Sequence, residues 1–267
     1  MKNKKQKTGL ALSGGATMAM AIFPIIEELE KLNIPINYIS GTSAGAIIGA
    51  HYSLYGETRS LAKELLNFSK KEWMAFVDLT LANTKSLIKA KKYKEYLFKK
   101  FGDKTFEDLN IPLVVVATNL ETGKVEYITK GKIVDALIAS SAYPGIFPPY
   151  KVNNKILVDG GVLDNFPYNI LYKKKMDRVV GINLSKASDG KREFTNIFSV
   201  LQRSMDLMID NSFKNIYSED QKLFVFDVGF KKGLNSSWSM RDLDKKYEAG
   251  LKTFDKRKKE FAEWNEE

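Results

Sequence analysis

Two hydrophobic periods alternate along the chain. Thr8 to Ser13 alternates like a strand, and Ser13-Gly14-Gly15 reads as the turn out of it. Ile25, Ile26, Leu29 and Leu32 then recur at helical spacing, with Pro24 either opening that helix or kinking a longer one that starts near Thr17. Ile36 to Ser40 is strand-like and the Ala/Ile/Gly-rich run Ala44 to Ala50 is helical. A long, mostly helical stretch follows from Leu54 to Phe101. The continuous apolar run Leu113 to Ala117 predicts a strand covered on both faces, and Val125 to Thr129 another strand beyond the turn at Glu121-Thr122-Gly123-Lys124. A short helix through Ile133 to Ser140 precedes the strand Lys155 to Val158. Strands at Arg178 to Leu184 and Leu223 to Val228 bracket a helix near Phe198 to Ile209, and Leu251, Phe254, Phe261 and Trp264 mark a terminal helix.

Strands alternating with helices predict an α/β fold, with a mainly parallel central sheet flanked by helices. At 267 residues the chain is long enough to bury one full core. No repeat, low-complexity tract or linker divides it, so one domain over 1–267 is expected.

Composition removes several chemistries. There is no cysteine, which excludes disulfides, thiolate metal sites and a cysteine nucleophile, and one histidine cannot build a His-rich zinc centre. No loop has the acidic spacing of a calcium-binding hand. The net charge of +10 comes mostly from lysine. It favours anionic partners, and because base readout leans on arginine forks, an acidic lipid surface fits slightly better than nucleic acid, which is not expected; a solubilising lysine coat is the bland alternative for any one cluster. No run reaches the roughly 20 apolar residues that span a bilayer. Lys2 to Lys7 followed by Gly9 to Phe23 imitates a secretion signal, but cleavage there would delete the glycine turn. The segment is therefore read as mature fold, with a cytoplasmic, membrane-peripheral location expected.

The candidate chemistry begins at Gly41-Thr42-Ser43-Ala44-Gly45, a G-x-S-x-G turn between a predicted strand and a predicted helix. A nucleophile elbow needs small flanking residues, and Gly41, Ala44 and Gly45 supply them. The only histidine, His51, lies two helical turns beyond Ser43, which places its backbone about 12 Å away. A general base works within roughly 3 Å, so a Ser-His-Asp triad has no histidine to use. Either Ser43 is not a nucleophile, or a carboxylate replaces the imidazole. Asp159, at a strand end before Gly160-Gly161, would project from the same sheet edge as Ser43 in a parallel arrangement; an ordinary Asp-Gly turn is the bland alternative. Burial would raise its pKa and glycine N–H donors would lower it. Backbone N–H groups of Ala44, Gly14 and Gly15 are candidate donors to a developing oxyanion. Gly14-Gly15 also reads as a plain tight turn or a phosphate loop, although no Walker lysine follows.

Taken together and in order, these blocks resemble the bacterial patatin-like phospholipases. Leu12-Ser13-Gly14-Gly15, Gly41-Thr42-Ser43-Ala44-Gly45 and Asp159-Gly160-Gly161 carry the likeness. Ala117 to Gly123, Ala139 to Pro149 and Asp159 to Pro167 add to it, over roughly 8–184. The resemblance implies a patatin-like three-layer sandwich and a Ser43-Asp159 dyad. Ser43 would attack a lipid carboxylic ester, Asp159 would accept its proton, and water would hydrolyse the acyl-enzyme with no metal or cofactor. One departure stands out: Gly14-Gly15-Ala16-Thr17-Met18-Ala19 occupies the place of the family's Gly-Gly-Gly-x-Arg-Gly, so the loop arginine is replaced by Met18.

Ala16, Met18, Trp73 and Phe76 are candidate substrate contacts; Trp73 and Phe76 would line or cover an acyl pocket, unless they are simply core. The segment 54–104 is expected to be helical and lid-like or membrane-facing. Its Lys85 to Lys104 stretch holds eight lysines, with Tyr93, Tyr96, Leu97 and Phe101 near helical spacing, which reads either as a basic amphipathic face resting on anionic lipid or, more commonly, as a solvated helix packed by its apolar side. Two functions compete: a serine acyl hydrolase on lipid esters, and a catalytically weak lipid- or membrane-binding module on the same scaffold. The missing arginine and the basic face motivate the second.

Overall fold

Alternation along the strands decides how the layers assemble. The computed structural model describes residues 6–68, 90–184, 222–230 and 242–266, with positions 200, 203, 204, 207 and 208. Strands β1 (Thr8–Leu12), β2 (Ile36–Thr42), β3 (Leu113–Asn119), β4 (Lys124–Ile128), β5 (Tyr150–Val152), β6 (Lys155–Asp159), β7 (Arg178–Asn183) and β8 (Leu223–Asp227) form one sheet. Its order is β5-β6-β3-β2-β1-β7-β8, and β4 pairs with β3 off that path. The pairs among β1, β2, β3, β7 and β8 are parallel, whereas β4, β5 and β6 join by antiparallel pairs.

One face carries Leu10, Leu12, Val115, Val180, Ile182, Phe224 and Phe226. It packs against α1 (Ile22–Lys31), α2 (Ala44–Tyr55), α3 (Arg59–Leu66), α4 (Lys91–Phe101), α5 (Ile133–Ser140) and α7 (Leu243–Glu266). The intervening residues Ala11, Val179, Leu223 and Val225 point the other way, onto Phe166, Tyr168 and the short helix α6 (Asn169–Lys173). Period-two alternation thus yields a sheet covered by helices on both faces, a three-layer α/β sandwich.

The region around Pro24 combines the two expected outcomes. A 3-10 turn over Ala16–Ala21 leads directly into α1, where Pro24 occupies the first helical turn and its missing N–H costs nothing. On α7, Phe254, Phe261 and Trp264 pack with Phe224 or Phe226, but Leu251 is 36% exposed and lies off the apolar face. Most of the expected helix near Phe198 to Ile209, and both Trp73 and Phe76, lie outside the described residues.

Strand direction brings the two chemically interesting ends together, by a route other than the parallel one. β4 takes one edge of β3 from Val115 to Asn119, so β2 and β6 share the other edge end to end. β2 runs parallel to β3 and finishes with Thr42 opposite Val116; β6 runs antiparallel and finishes with Asp159 opposite Ala117. Their carboxyl ends meet head on.

Candidate active site

Ser43 sits where β2 turns into α2, with φ 53° and ψ −122°. That backbone conformation is sparsely populated for a residue with a Cβ and costs on the order of 1–3 kcal/mol. Its neighbours explain how the turn closes. A Cβ on Gly41 would lie 2.8 Å from the Ala46 backbone, and one on Gly45 would lie 2.5 Å from the Ser13 carbonyl oxygen. Only glycine lets α2 start this close to β1 and β2. The Ser43 amide is held from behind by the Ser140 hydroxyl, which accepts at 2.8 Å and donates to the Val116 carbonyl at 2.5 Å. Ser43 and Ala44 remain half-buried, open to a ligand.

The glycine turn lies beside this elbow. A Cβ on Gly14 would be 3.3 Å from the Ser43 Cβ and 2.5 Å from the Asn165 Oδ1. The Gly14 N–H, expected to point at the site, instead donates to the Asn165 carbonyl at 3.1 Å. By contrast, the Gly15, Ala16 and Ala44 amides have no partner among the described residues, and all three residues are half-buried. Ala16 adopts φ 47°, a left-handed conformation that costs an alanine about 1–2 kcal/mol. Met18 packs part-buried against the main core, in the same turn as Ala16.

Asp159 is 4% exposed. Burial pushes its carboxyl up to about 6, against the lowering effects of the Gly161 N–H and of a side-chain hydrogen bond with Ser43. The Gly161 amide donates to Asp159 Oδ1 at 2.8 Å, fixing the carboxylate at the start of a 3-10 turn, Gly160–Val162. Desolvation therefore outweighs the glycine donors, leaving a carboxylate that is mostly ionised at neutral pH yet more basic than an ordinary aspartate.

Several supports of the site carry no strong mark in the sequence. Asn165, 151 positions from Gly14, links the glycine turn to the aspartate loop. Ser40 and Thr42, on alternate positions of β2, donate to the carbonyls of Pro167 and Asp164 at 2.6 and 2.8 Å, pinning that loop beneath the elbow. Tyr93 on α4 brings its ring 5.0 Å from Phe147. Burial raises its phenol pKa, and the charge of Asp159 raises it further, so this part of the 54–104 segment borders the site. The signal for Ser140 is faint: it falls within the family-like stretch Ala139 to Pro149, but nothing local marks a partner 97 residues away.

His51 is elsewhere. Its Nε2 lies 3.0 Å from Ser60 Oγ and 3.4 Å from Glu57 Oε1, and burial lowers its pKa.

A mostly parallel sheet that delivers a strained serine and a buried aspartate to one point, beside backbone amides unpaired among the described residues, defines an α/β protein of the elbow type. Comparison makes the assignment specific: a sequence model of the patatin-like phospholipases matches residues 10–172, and the chain belongs to that family. It is 28% identical over 191 residues to the lysophospholipase NTE1 of Meyerozyma guilliermondii, an alignment covering 69% of this chain and 13% of that protein. The NTE1 protein of Debaryomyces hansenii is 29% identical over 191 residues, covering 69% of this chain and 12% of the relative. The chain thus spans about an eighth of the length of these curated relatives. Among solved structures, VipD from Legionella pneumophila superposes with a TM-score of 0.56 at 15% identity, covering 94% of this chain and 67% of that one. That likeness is one of fold.

Proposed function

We propose that the protein is a serine acyl hydrolase that cleaves lipid carboxylic esters through a Ser43-Asp159 dyad. The observation that carries this reading is the head-on meeting of β2 and β6 on one edge of β3, which sets a strained, half-buried serine beside a buried carboxylate of raised basicity. The Ser43 oxygen attacks the ester carbonyl carbon as its proton passes to Asp159. The resulting oxyanion is received by the amides of Gly15, Ala16 and Ala44; Gly14, whose amide is taken by Asn165, shapes the turn instead. Collapse breaks the bond to the alcohol, which leaves with the proton from Asp159. Water then attacks the Ser43 ester as Asp159 takes its proton, and the acyl–serine bond breaks as that proton passes to the Ser43 oxygen, releasing the fatty acid and restoring the free serine.

Membership of the phospholipase family supports a lipid substrate, and the relatives named lysophospholipases support single-chain phospholipids within that class. Approach to a membrane fits α4, where Tyr93, Tyr96, Leu97 and Phe101 face inward while Lys91, Lys92, Lys99 and a 53% exposed Phe98 are left in solvent. Among the described residues no helix is long and apolar enough to cross a bilayer, so contact would be peripheral.

The test is hydrolysis of nitrophenyl butyrate and of lysophosphatidylcholine by wild type and Ser43→Ala. Wild-type turnover that falls at least a thousandfold in the variant is expected. Equal rates would refute the nucleophile, and a folded wild type that binds lipid without cleaving any ester would favour the non-catalytic lipid-binding module.

A further inference from the structure

Helix α7 makes an unusually close approach to the glycine turn. It crosses the 3-10 turn Ala16–Ala21 so tightly that a Cβ on Gly250 would lie 2.0 Å from the Ala21 carbonyl oxygen. Four residues earlier, on the same face of α7, Lys246 is 0% exposed and its ammonium donates to the Thr17 hydroxyl at 2.6 Å. Burial lowers the Lys246 pKa to about 8, with Asp242 pulling it back up. An ammonium taken out of water is costly unless hydrogen-bond or charge partners hold it. Thr17 directly follows Ala16, whose amide, like that of Gly15, has no partner among the described residues. The family match ends at residue 172, so α7 lies beyond it.

We propose that Lys246 is a positioning residue for the reaction: by holding the Thr17 hydroxyl from α7, it fixes the Gly15 and Ala16 amides where the oxyanion develops. The proposal rests on the acyl-hydrolase reading. A cation this close to the turn also favours negative charge there, and that contribution is larger in a buried setting than in water. Lys246 touches neither substrate nor reacting atoms; it acts through Thr17. Nothing comparable comes from the turn itself, because Ala16 to Ile26 contains no charged residue.

The test compares Lys246→Met, Lys246→Arg and Thr17→Val by steady-state kinetics on nitrophenyl butyrate, thermal melting, and amide hydrogen exchange over residues 14–18. Lys246→Met and Thr17→Val should each lower kcat about tenfold with KM unchanged, and the double variant should be no worse than either single one. A fall in kcat at unchanged KM, measured below the melting range of each variant, separates positioning from a merely structural role. Exchange at Gly14 and Met18, whose amides are bonded to the Asn165 and Gly15 carbonyls on either side of the unpaired pair, should quicken about tenfold, and Lys246→Arg should recover part of kcat. Wild-type kcat and wild-type exchange in both Lys246→Met and Thr17→Val would overturn the proposal. If wild type itself turns over no ester, the acyl-hydrolase reading falls, and the exchange rates alone decide whether Lys246 holds the turn.

Discussion

Asp159→Asn should make the protein less active and more stable at once. The amide keeps the shape of the carboxylate, and its Oδ1 can still accept from the Gly161 N–H at 2.8 Å. What is lost is the proton acceptor facing Ser43. Positioned general bases contribute about 10²–10⁴-fold, so turnover should fall by that factor, equivalent to about 3–5 kcal/mol of barrier. Stability moves the other way. Burial raises the Asp159 carboxyl from 3.8 to about 6, so the folded state resists ionisation that the unfolded chain accepts. The resulting penalty is absent below pH ~4, grows as pH rises through the folded value, and is complete above about 7. At pH 7.5 it amounts to about 2–3 kcal/mol, which the neutral amide avoids. Urea unfolding and initial-rate assays at pH 4.5 and 7.5 should therefore show a stability gain for Asp159→Asn that shrinks toward acid, together with near-complete loss of turnover. In wild type, kcat/KM should rise with an apparent pKa of about 6. A variant within threefold of wild-type rate, or a stability difference that does not change with pH, would refute the reasoning.

Two other substitutions test the supports. Ser140→Ala removes the acceptor behind the Ser43 amide and a donor to Val116, and should cost about 1–3 kcal/mol in urea unfolding while lowering kcat. Ala16→Gly relieves a left-handed alanine, and after the greater flexibility of unfolded glycine is offset should leave the protein about 0.5–1 kcal/mol more stable by the same measurement.

The strands with the clearest apolar content are legible in the amino-acid sequence, because β1, β3, β7 and β8 are buried on both faces along nearly their whole length. The elbow is legible because its geometry demands small residues at fixed offsets from Ser43. Asp159 is legible as a strand end ahead of two glycines. The direction of β6 is not, because orientation is set by its connections: β5 is only three residues long and turns back into β6 through Asn153 and Asn154, both at positive φ. That Asn-Asn pair is a hairpin signal, with β5 too short to show a period. The contacts of Ser140, Asn165 and Lys246 join positions 97, 151 and 229 residues apart, and no local pattern encodes such distances. Gly14 illustrates the same limit: its turn lies beside Ser43 as the sequence implies, but the partner of its N–H comes from a distant loop.

The central claim is that Ser43 is a nucleophile activated by a carboxylate. Peptide mass spectrometry after treatment with a fluorophosphonate tests it most directly, with wild type and Asp159→Asn labelled side by side. The account predicts one adduct per chain, on the peptide containing Ser43, forming at least a hundredfold more slowly in Asp159→Asn. No adduct on wild type, an adduct on another serine, or equal labelling of the two proteins would contradict it.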